Sequence, residues 1–499
     1  LNHAWNGDRV LVKITREGGR RRSPEGGVQV ILARDTTSLL AQVEAREEDH
    51  LMAVPLDDRL LTSIELPSDD RIHAGGAGET VVEVRIDRFP VGQFAARGHV
   101  ARSLPVRGGP DADRDLLLTK HHLQGRPAAP RATLRQPEAK ERTDLTGLAV
   151  LLPQSWTGVD APSLPGLSLE AREEGGWRLW VHAPAVAERI TPANALDTWL
   201  NQQAEAICAG TQWLPLLPPA LDKASALRAG ERTEAMSVAL ELSAEGVLEH
   251  FRFCLSWIKP AARLDVAALV ALAERKPKAR TVPAALKPLK EHLPLVENLL
   301  TVASLLRSRR LEAGSLDLDL AVPAIDSLGD LRIPLPDASR EGWLVQLPDS
   351  EPMALLREAV LVAHRALGRH LAALQLPGLF ARNNAAEADG LNEVAKAALA
   401  LEIPLELSAE GNADAAELAA AFAATDRSRA LQNLLRGSLQ PVEHDSQSGP
   451  HALAGEAEAY APWCCPGLHY ADIWNQQLLA TLLTPVSYTH LRAHETVLD

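Results

Sequence analysis

The sequence has few cysteines, no long apolar run and no excess of basic charge. Its four cysteines are too few for a disulfide framework, and none stands in the paired CxxC spacing of common zinc sites. No stretch approaches the ~18–20 uncharged apolar residues that a membrane-spanning helix needs. We therefore expect a protein of the reduced cytoplasmic compartment, with no membrane partner.

The charge balance is acidic, at −14 from 51 basic and 65 acidic residues. This argues against a simple basic coat protein for nucleic acid. A local positive groove stays compatible with it, because a sum over the whole chain averages such a groove away. The length of 499 residues predicts two to four domains.

The first 107 residues have the pattern of short β-strands. Residues 82–87 alternate apolar and charged side chains, as in a strand with one buried face. Glycine turns between such strands predict a small OB-type barrel. Between the first two strands, Arg16 and the run from Arg20 to Arg22 fit two interpretations equally: a solvated hairpin loop or a phosphate-contacting loop.

Beyond the barrel the pattern changes twice. Residues 108–140 are rich in Pro, Gly, Arg and Asp, which predicts a connector. From residue 141 onward, strand patterns alternate with helical ones, so we expect an α+β fold whose second part is a large mixed α/β body. The predicted elements are strands at 177–182 and 235–242 and helices at 295–311, 353–374, 391–402 and 414–424.

A collinear series of short motifs spans nearly the whole chain. It includes Gly7-Asp8-Arg9-Val10, Arg142-Thr-Asp-Leu-Thr146, Trp213-Leu-Pro-Leu-Leu-Pro218, Leu434-Leu-Arg-Gly437 and Tyr470-Ala-Asp472. Each motif alone is weakly specific. Their order resembles the RNase II/RNase R family of RNB-domain 3′–5′ exoribonucleases.

The resemblance implies a domain organisation. Residues 1–23 would end a first cold-shock-like OB domain, 24–107 form a second one, and 108–140 link it to an RNB domain of the catalytic type at 141–485. Residues 486–499 resemble a sequencing adapter read through in frame. We therefore expect this divergent member to be truncated at its C-terminal end.

The resemblance also implies a function. Members of this family hydrolyse single-stranded RNA from the 3′ end to nucleoside monophosphates with Mg²⁺. Single-stranded RNA is thus the expected partner, Mg²⁺ the expected cofactor, and a monomer the expected state. The chemistry needs divalent ions because negative charge develops on the attacking and leaving oxygens. Mg²⁺ in turn prefers several hard oxygen ligands.

The segment that would hold the ion departs from the family pattern of a lone acid followed by D-x-D-D. Here Gln154 falls at the lone acid, Asp160 at the first position of the cluster, and Pro162 and Ser163 at the two others. One carboxylate stands where four are expected. Asp160 is the predicted catalytic residue and metal ligand, with a simple turn residue before Pro162 as the alternative.

Other family positions keep their residue type. Arg436 matches the family's phosphate-stabilising arginine and is a predicted catalytic residue, with compensation of the helix dipole as the alternative. The predicted RNA-binding residues are Arg382, Glu358, Glu458 and Trp213. The two glutamates also fit solvent-facing or ion-paired helix positions, and Trp213 also fits a core position.

The late S-P-I-R-R-Y signature has changed to Cys465-Pro-Gly-Leu-His-Tyr470, and the following His-Arg pair reads Gln476-Gln477. We expect Cys464 and Cys465 to pack as a small apolar pair. Two hypotheses follow. The protein is an exoribonuclease that recruits acids such as Asp144 or Glu170, or it is an RNA-binding RNB fold with impaired catalysis.

Overall fold

The computed structural model contains two compact units, and the described residues up to Pro127 form the first while those from Ala128 onward form the second. The described residues are 3–17, 25–45, 50–73, 80–105, 110–123, 126–137, 142–154, 161–209, 212–275, 282–316, 318, 322–323, 344–345, 352–383, 386–408, 411–451 and 459–483.

The strands are β1 Arg9–Arg16, β2 Glu25–Ala33, β3 Ser38–Ala45, β4 Leu51–Pro55, β5 Ile64–Leu66, β6 Thr80–Arg88, β7 Ala96–Pro105, β8 Thr143–Asp144, β9 Val150–Gln154, β10 Gly166–Ala171, β11 Trp177–Pro184, β12 Ile207–Ala209, β13 Gln212–Leu214, β14 Thr233–Leu242, β15 Leu248–Ile258, β16 Pro260–Asp265, β17 Val322–Pro323, β18 Leu344–Val345, β19 Phe380–Asn383 and β20 Val442–Asp445. The helices are α1 Pro110–Lys120, α2 Ala195–Gln203, α3 Pro219–Ser225, α4 Val266–Ala273, α5 Leu293–Glu312, α6 Pro352–Ala373, α7 Ala388–Ala400, α8 Ala415–Ala423, α9 Ser428–Ser438 and α10 Tyr470–Leu483.

The first unit is built around a closed barrel with strand order β3-β4-β5-β7-β6. The alternating run at 82–87 lies within β6, and Val82 and Val84 point into the barrel core with Ala41, Ala53 and Ile64. This is the one-face burial that the alternation predicts. The predicted OB-type barrel is thus present.

The N-terminal segment contributes to this barrel. Trp5 belongs to the barrel core and meets Phe89 edge-on, with ring centroids 5.2 Å apart. Trp5 thus packs in this barrel, and the assignment of residues 1–23 to the end of a preceding domain stays a prediction. Strands β1 and β2 form a separate two-stranded antiparallel ribbon.

The stretch predicted as a connector contains helix α1. Pro110 stands at its first position, where a missing N–H costs nothing. The Arg102 guanidinium of β7 donates to Asp115 of the helix at 3.1 Å, which ties α1 to the barrel strand. The proposed boundaries at 108 and 140 stay predictions.

The second unit contains a seven-stranded sheet with order β16-β9-β10-β11-β14-β15-β8. Its interior pairs are antiparallel, whereas β16 pairs with β9 and β8 with β15 in parallel. The two strands predicted at 177–182 and 235–242 are neighbours here, as β11 and β14. Leu151, Val181 and Val238 are among the fully buried residues of the sheet core.

The long helices cover this sheet. Helix α5 contacts β10, α6 contacts β11, and the two helices contact each other. Leu299 and Leu306 of α5 and Ala363 and Leu367 of α6 are buried, so the predicted helical periodicities mark the packed faces. Helices α7, α8 and α9 share a second apolar cluster. Among the described helices, none is both long and apolar enough to cross a membrane.

Candidate functional site

The predicted metal-binding segment starts where β9 ends. Gln154 is the exposed last residue of β9, and Pro162 and Ser163 line a cavity of about 170 Å³ together with it and Arg263. Asp160 lies outside the described residues. The described lining of this cavity therefore offers neutral oxygens and one cation, but no carboxylate.

This donor set does not by itself fit Mg²⁺. The ion prefers several carboxylate or other hard oxygen ligands in octahedral geometry. An amide and a hydroxyl supply oxygen without charge, and the Arg263 guanidinium at the same cavity repels a cation. The described part of the segment therefore lacks the negative charge that the family pattern supplies.

One acid that sequence reasoning missed lies next to Gln154. Strand β16 runs parallel to β9 in a register that pairs Asp265 with Gln154. Asp265 also caps helix α4, because its Oδ1 accepts the backbone N–H of Ala268 at 2.7 Å. Its partnership with Gln154 depends on strand pairing across more than a hundred residues, which no local pattern reveals.

The acids that we expected to be recruited lie elsewhere. Asp144 is in β8, at the opposite edge of the sheet from β16. There the hydroxyl and backbone N–H of Thr146 hold the pKa of Asp144 below its ordinary value. Neither the strand order nor the register brings it to Gln154, so recruitment of Asp144 stays a prediction that its place in the sheet does not favour.

Glu170 is also displaced from the cavity. Leu167 of β10 pairs antiparallel with Leu151 of β9, so Glu170 points toward the start of β9 while Gln154 ends it. The Glu170 carboxylate accepts the Trp180 indole N–H at 2.9 Å. Recruitment of Glu170 as a replacement ligand therefore stays a prediction that its position and its bond to Trp180 do not favour.

The loop that carries the changed S-P-I-R-R-Y signature, Cys465 to Tyr470, lies beside the predicted metal-binding segment. A Cβ added to Gly467 would lie 3.1 Å from Pro162 Cβ, so the loop from Cys465 to Tyr470 approaches the predicted metal segment closely. The Tyr470 hydroxyl donates to Asp197 at 2.9 Å, and burial together with this bond raises the Tyr470 pKa. Tyr470 thus acts as a fixed hydrogen-bond donor.

The two glutamines at the family's His-Arg position have structural partners. The buried Gln476 amide donates to the carbonyls of Pro184 and Trp463, each at 3.0 Å. The Gln477 amide donates to Asp197 at 3.0 Å. These neutral side chains satisfy buried acceptors, and they bring no positive charge to the site.

Arg382 lies on β19, which pairs with β20. It forms an ion pair with Asp445, and its side chain is 28% exposed. Its Nε has no hydrogen-bond partner among the described residues. The backbone N–H of Gln447 and the nearby Arg382 charge hold the pKa of Asp445 below its ordinary value. Arg382 is thus partly exposed and paired with Asp445, and the unpartnered Nε is itself buried.

Arg436 is exposed in the last turn of α9. It forms no ion pair with any residue that the structure describes. The chain just beyond α9 is linked to β19, because the Asn383 side-chain amide donates to the carbonyl of Gln440, two residues past the end of the helix, at 3.1 Å. The two arginines predicted to contact phosphate therefore lie on neighbouring segments that this bond joins.

Of the remaining predicted RNA-binding residues, two are buried and one lies outside the described residues. Glu358 is buried in a two-pronged ion pair with Arg310, which supports the ion-paired alternative. Trp213 of β13 is only 8% exposed, which supports the core alternative over base stacking. Glu458 lies outside the described residues. For Glu358 and Trp213, contact with RNA stays a prediction that their burial does not favour.

The sequence model of the RNB domain matches residues 142–485. The chain belongs to the RNB-domain family. It is 31% identical to the acetazolamide conferring resistance protein zam of Synechocystis sp., over 97% of this chain and 62% of that protein. It is 24% identical to ribonuclease R of Escherichia coli strain K12, over 96% of this chain and 57% of that enzyme. The chain thus spans about three fifths of the length of these curated relatives.

Solved structures share the fold. The apo form of Mycoplasma genitalium RNase R aligns over 99% of this chain and 76% of its own, with a TM-score of 0.75 at 14% identity. Yeast Ssd1, described as a pseudonuclease, aligns over 95% of this chain and 58% of its own, with a TM-score of 0.66 at 14% identity. These alignments confirm the α+β class, with an N-terminal barrel followed by an RNB domain.

Proposed function

We propose that this RNB-domain chain binds single-stranded RNA and hydrolyses it from the 3′ end to nucleoside monophosphates, as an RNase II-type exoribonuclease. The observation that carries the proposal is the placement of Arg382 and Arg436 on bonded segments of the RNB domain. Ribonucleases of this family are metal-dependent nucleases. We further propose that the protein acts as a cytoplasmic monomer.

The RNA-binding part rests on charge and geometry. A guanidinium presents a rigid fork of donors that matches phosphate oxygens. Arg436 is exposed and has no ion-pair partner among the described residues, so a phosphate would meet an uncompensated cation. RNase R of Mycoplasma genitalium, which shares the fold, has been solved in complex with ribose methylated single-stranded RNA.

For hydrolysis, Mg²⁺ is the proposed ion and Asp160 its proposed carboxylate. A bound divalent ion would neutralise charge that develops on the phosphate oxygens. Asp265 is the described acid that strand pairing places beside Gln154, so it takes the role we first expected for Asp144 or Glu170. Glu458 is proposed, from its matched position, to contact the RNA end.

A second candidate function is RNA binding without cleavage. The observation that favours it is the neutral lining of the cavity by Gln154, Pro162 and Ser163, together with Arg263. The yeast pseudonuclease Ssd1 shares the fold. A protein of this kind would hold RNA through its arginines while lacking the charge to support hydrolysis.

The deciding experiment follows 5′-labelled single-stranded RNA incubated with the chain and Mg²⁺ or Mn²⁺. Asp160→Asn and Asp265→Asn test the proposed carboxylates. Asp144→Asn is the matched control, because it makes the same change at the far edge of the same sheet. A ladder shortening from the 3′ end that is lost in D160N and kept in D144N supports hydrolysis.

Two other outcomes are informative. Salt-sensitive RNA binding with no ladder under either metal supports the second candidate. Neither binding nor cleavage would show that both proposed functions are wrong. A ladder that persists unchanged in D160N and D265N would show that the hydrolytic groups lie elsewhere in the chain.

A further inference from the structure

Four side chains of types that bind metals meet inside the RNB domain, and none of them lines the cavity at Gln154. His364 comes from α6, Cys464 and Cys465 precede α10, and Asp472 lies in its first turn. Cys464 Sγ is 3.1 Å from His364 Nε2, and His364 Nε2 is 3.6 Å from Asp472 Oδ1. The donor atoms of His364 and the two cysteines all lie within 4.8 Å of one another. All four residues are buried.

The carboxylate of this cluster is incompletely satisfied. Asp472 is fully buried, and its Oδ1 accepts the backbone N–H of Cys465 at 2.8 Å. Its Oδ2 is buried without a hydrogen-bond partner in the described part of the chain. No described lysine or arginine forms an ion pair with Asp472. A buried carboxylate is costly without a compensating cation, so the surroundings of Asp472 point to a missing positive group.

The imidazole is oriented as in a ligating histidine. His364 Nδ1 is 2.9 Å from the Tyr460 hydroxyl. The backbone N–H of Cys464 donates to Nε2 at 3.4 Å, a long bond that identifies Nε2 as the unprotonated nitrogen. The lone pair therefore faces the Cys464 side, while Nδ1–H donates to Tyr460. Ligating histidines are commonly fixed by such a bond from the second ring nitrogen.

We propose that His364, Cys464, Cys465 and Asp472 form a four-coordinate site for a zinc-class divalent ion. Two thiolates, an imidazole and a carboxylate are a donor set that selects Zn²⁺ over Mg²⁺, because sulfur is a soft ligand. Bonds of about 2.0–2.3 Å in a tetrahedral site place ligand atoms roughly 3.3–3.8 Å apart. The observed separations of 3.1 and 3.6 Å are close to this spacing.

The proposed ion has a structural role that is independent of RNA hydrolysis. All four ligands are buried, so the site is closed, as structural zinc sites are. It joins α6 to the segment before α10 across a separation of 100 residues between His364 and Cys464. The same segment reaches Gly467, which packs on Pro162. The ion would therefore fix the loop that borders the predicted metal-binding segment.

The test is the zinc content of the purified chain, measured by mass spectrometry of metals after incubation with Zn²⁺ under reducing conditions and gel filtration. We expect one zinc ion per chain in the wild type, and loss of it in Cys464→Ser and Asp472→Asn. Cys208→Ser and Cys254→Ser are matched controls, since these cysteines lie outside the cluster and should leave zinc unchanged. Replacement by Co²⁺ should give a thiolate-to-cobalt charge-transfer band in the near ultraviolet.

The wild-type chain alone can overturn the proposal. If it is folded by circular dichroism, has reduced thiols and still retains no zinc, the cluster is not a metal site. Retention of zinc by C464S and D472N, with its loss in C208S, would also overturn the assignment. Zinc bound in the wild type without RNA cleavage would leave this inference intact and remove only the hydrolytic function.

Discussion

The Arg310→Met substitution should destabilise the RNB domain strongly. Arg310 Nε and Nη2 donate to the two carboxylate oxygens of Glu358 at 2.9 and 2.8 Å, and the two side chains are 1% and 2% exposed. Removal of the guanidinium leaves the Glu358 charge buried, with only the half-exposed Arg357 guanidinium nearby, its Nε 4.0 Å from Glu358 Oε1. Loss of one partner of such a pair costs about 3–5 kcal/mol of unfolding free energy.

Urea denaturation followed by far-ultraviolet circular dichroism measures this cost. Arg309→Met is the matched control, because Arg309 is the exposed neighbour that pairs with Glu312, and exposed pairs contribute about 0–1 kcal/mol. The double variant R310M/E358M should recover most of the loss, since both charges are then removed.

Two results would refute this reasoning. The first is an unfolding free energy for R310M no lower than that of R309M. The second is a Glu358→Gln variant with unchanged stability and weakened RNA binding, which would restore Glu358 to the RNA contact that the family match implies. Our account predicts reduced stability for E358Q, because one anionic acceptor of the pair is lost.

Two further predictions concern stability. His182 is buried between the hydroxyls of Ser168 and Ser237, and burial lowers its pKa to about 3. As the pH falls below 6.5, the ordinary pKa of histidine, the imidazole takes up a proton in the unfolded state but stays neutral in the folded state. The free energy of unfolding is therefore highest above pH 6.5 and falls toward pH 3. Urea titrations should show that His182 accounts for a loss of about 2 kcal/mol of unfolding free energy between pH 7 and pH 5. His182→Gln should remove this contribution to the slope of unfolding free energy against pH. An unchanged slope in the variant would contradict the assignment. Gly368→Ala should cost about 1–3 kcal/mol, because its Cβ would meet a backbone oxygen of residue 459 at 2.2 Å, whereas Gly437→Ala on open α9 should be neutral or stabilising. Equal melting temperatures for the two alanine variants would refute this.

Local patterns in the sequence predicted much of the fold. The alternation at 82–87 marks β6, and the leucine spacing at 295–311 marks α5. These predictions succeed because one-face burial imposes a period of two on strands and 3.6 on helices. The Pro- and Gly-rich composition of 108–140 predicts a connector and does not reveal the short helical run that forms α1.

Contacts between distant segments could not be predicted in this way. The pairing of Asp265 with Gln154 depends on the register of two parallel edge strands. The contact of His364 with Cys464 joins residues 100 positions apart. The expected apolar packing of Cys464 and Cys465 captured their burial but missed the imidazole and carboxylate beside them.

In the candidate site, too, residue types could be predicted from the sequence but their surroundings could not. Motif matching found Arg382 and Arg436, and the structure places both at surfaces of bonded segments. Motif matching also proposed Glu358 and Trp213, which have the residue types of the family positions. Both are buried, and no single motif could reveal that burial. A residue type at a family position thus predicts chemistry only when its exposure is known.

The most direct test of the central claim is equilibrium binding of labelled single-stranded RNA across a range of salt concentrations. We expect affinity to fall with salt, and Arg436→Ala to reduce the slope of log affinity against log salt by about 0.7 for one lost phosphate contact. Arg309→Ala, an exposed arginine with no predicted RNA contact, should match the wild type. Absence of binding at low salt, or the same salt dependence in R436A and R309A, would contradict the proposal that this RNB domain binds RNA through Arg382 and Arg436.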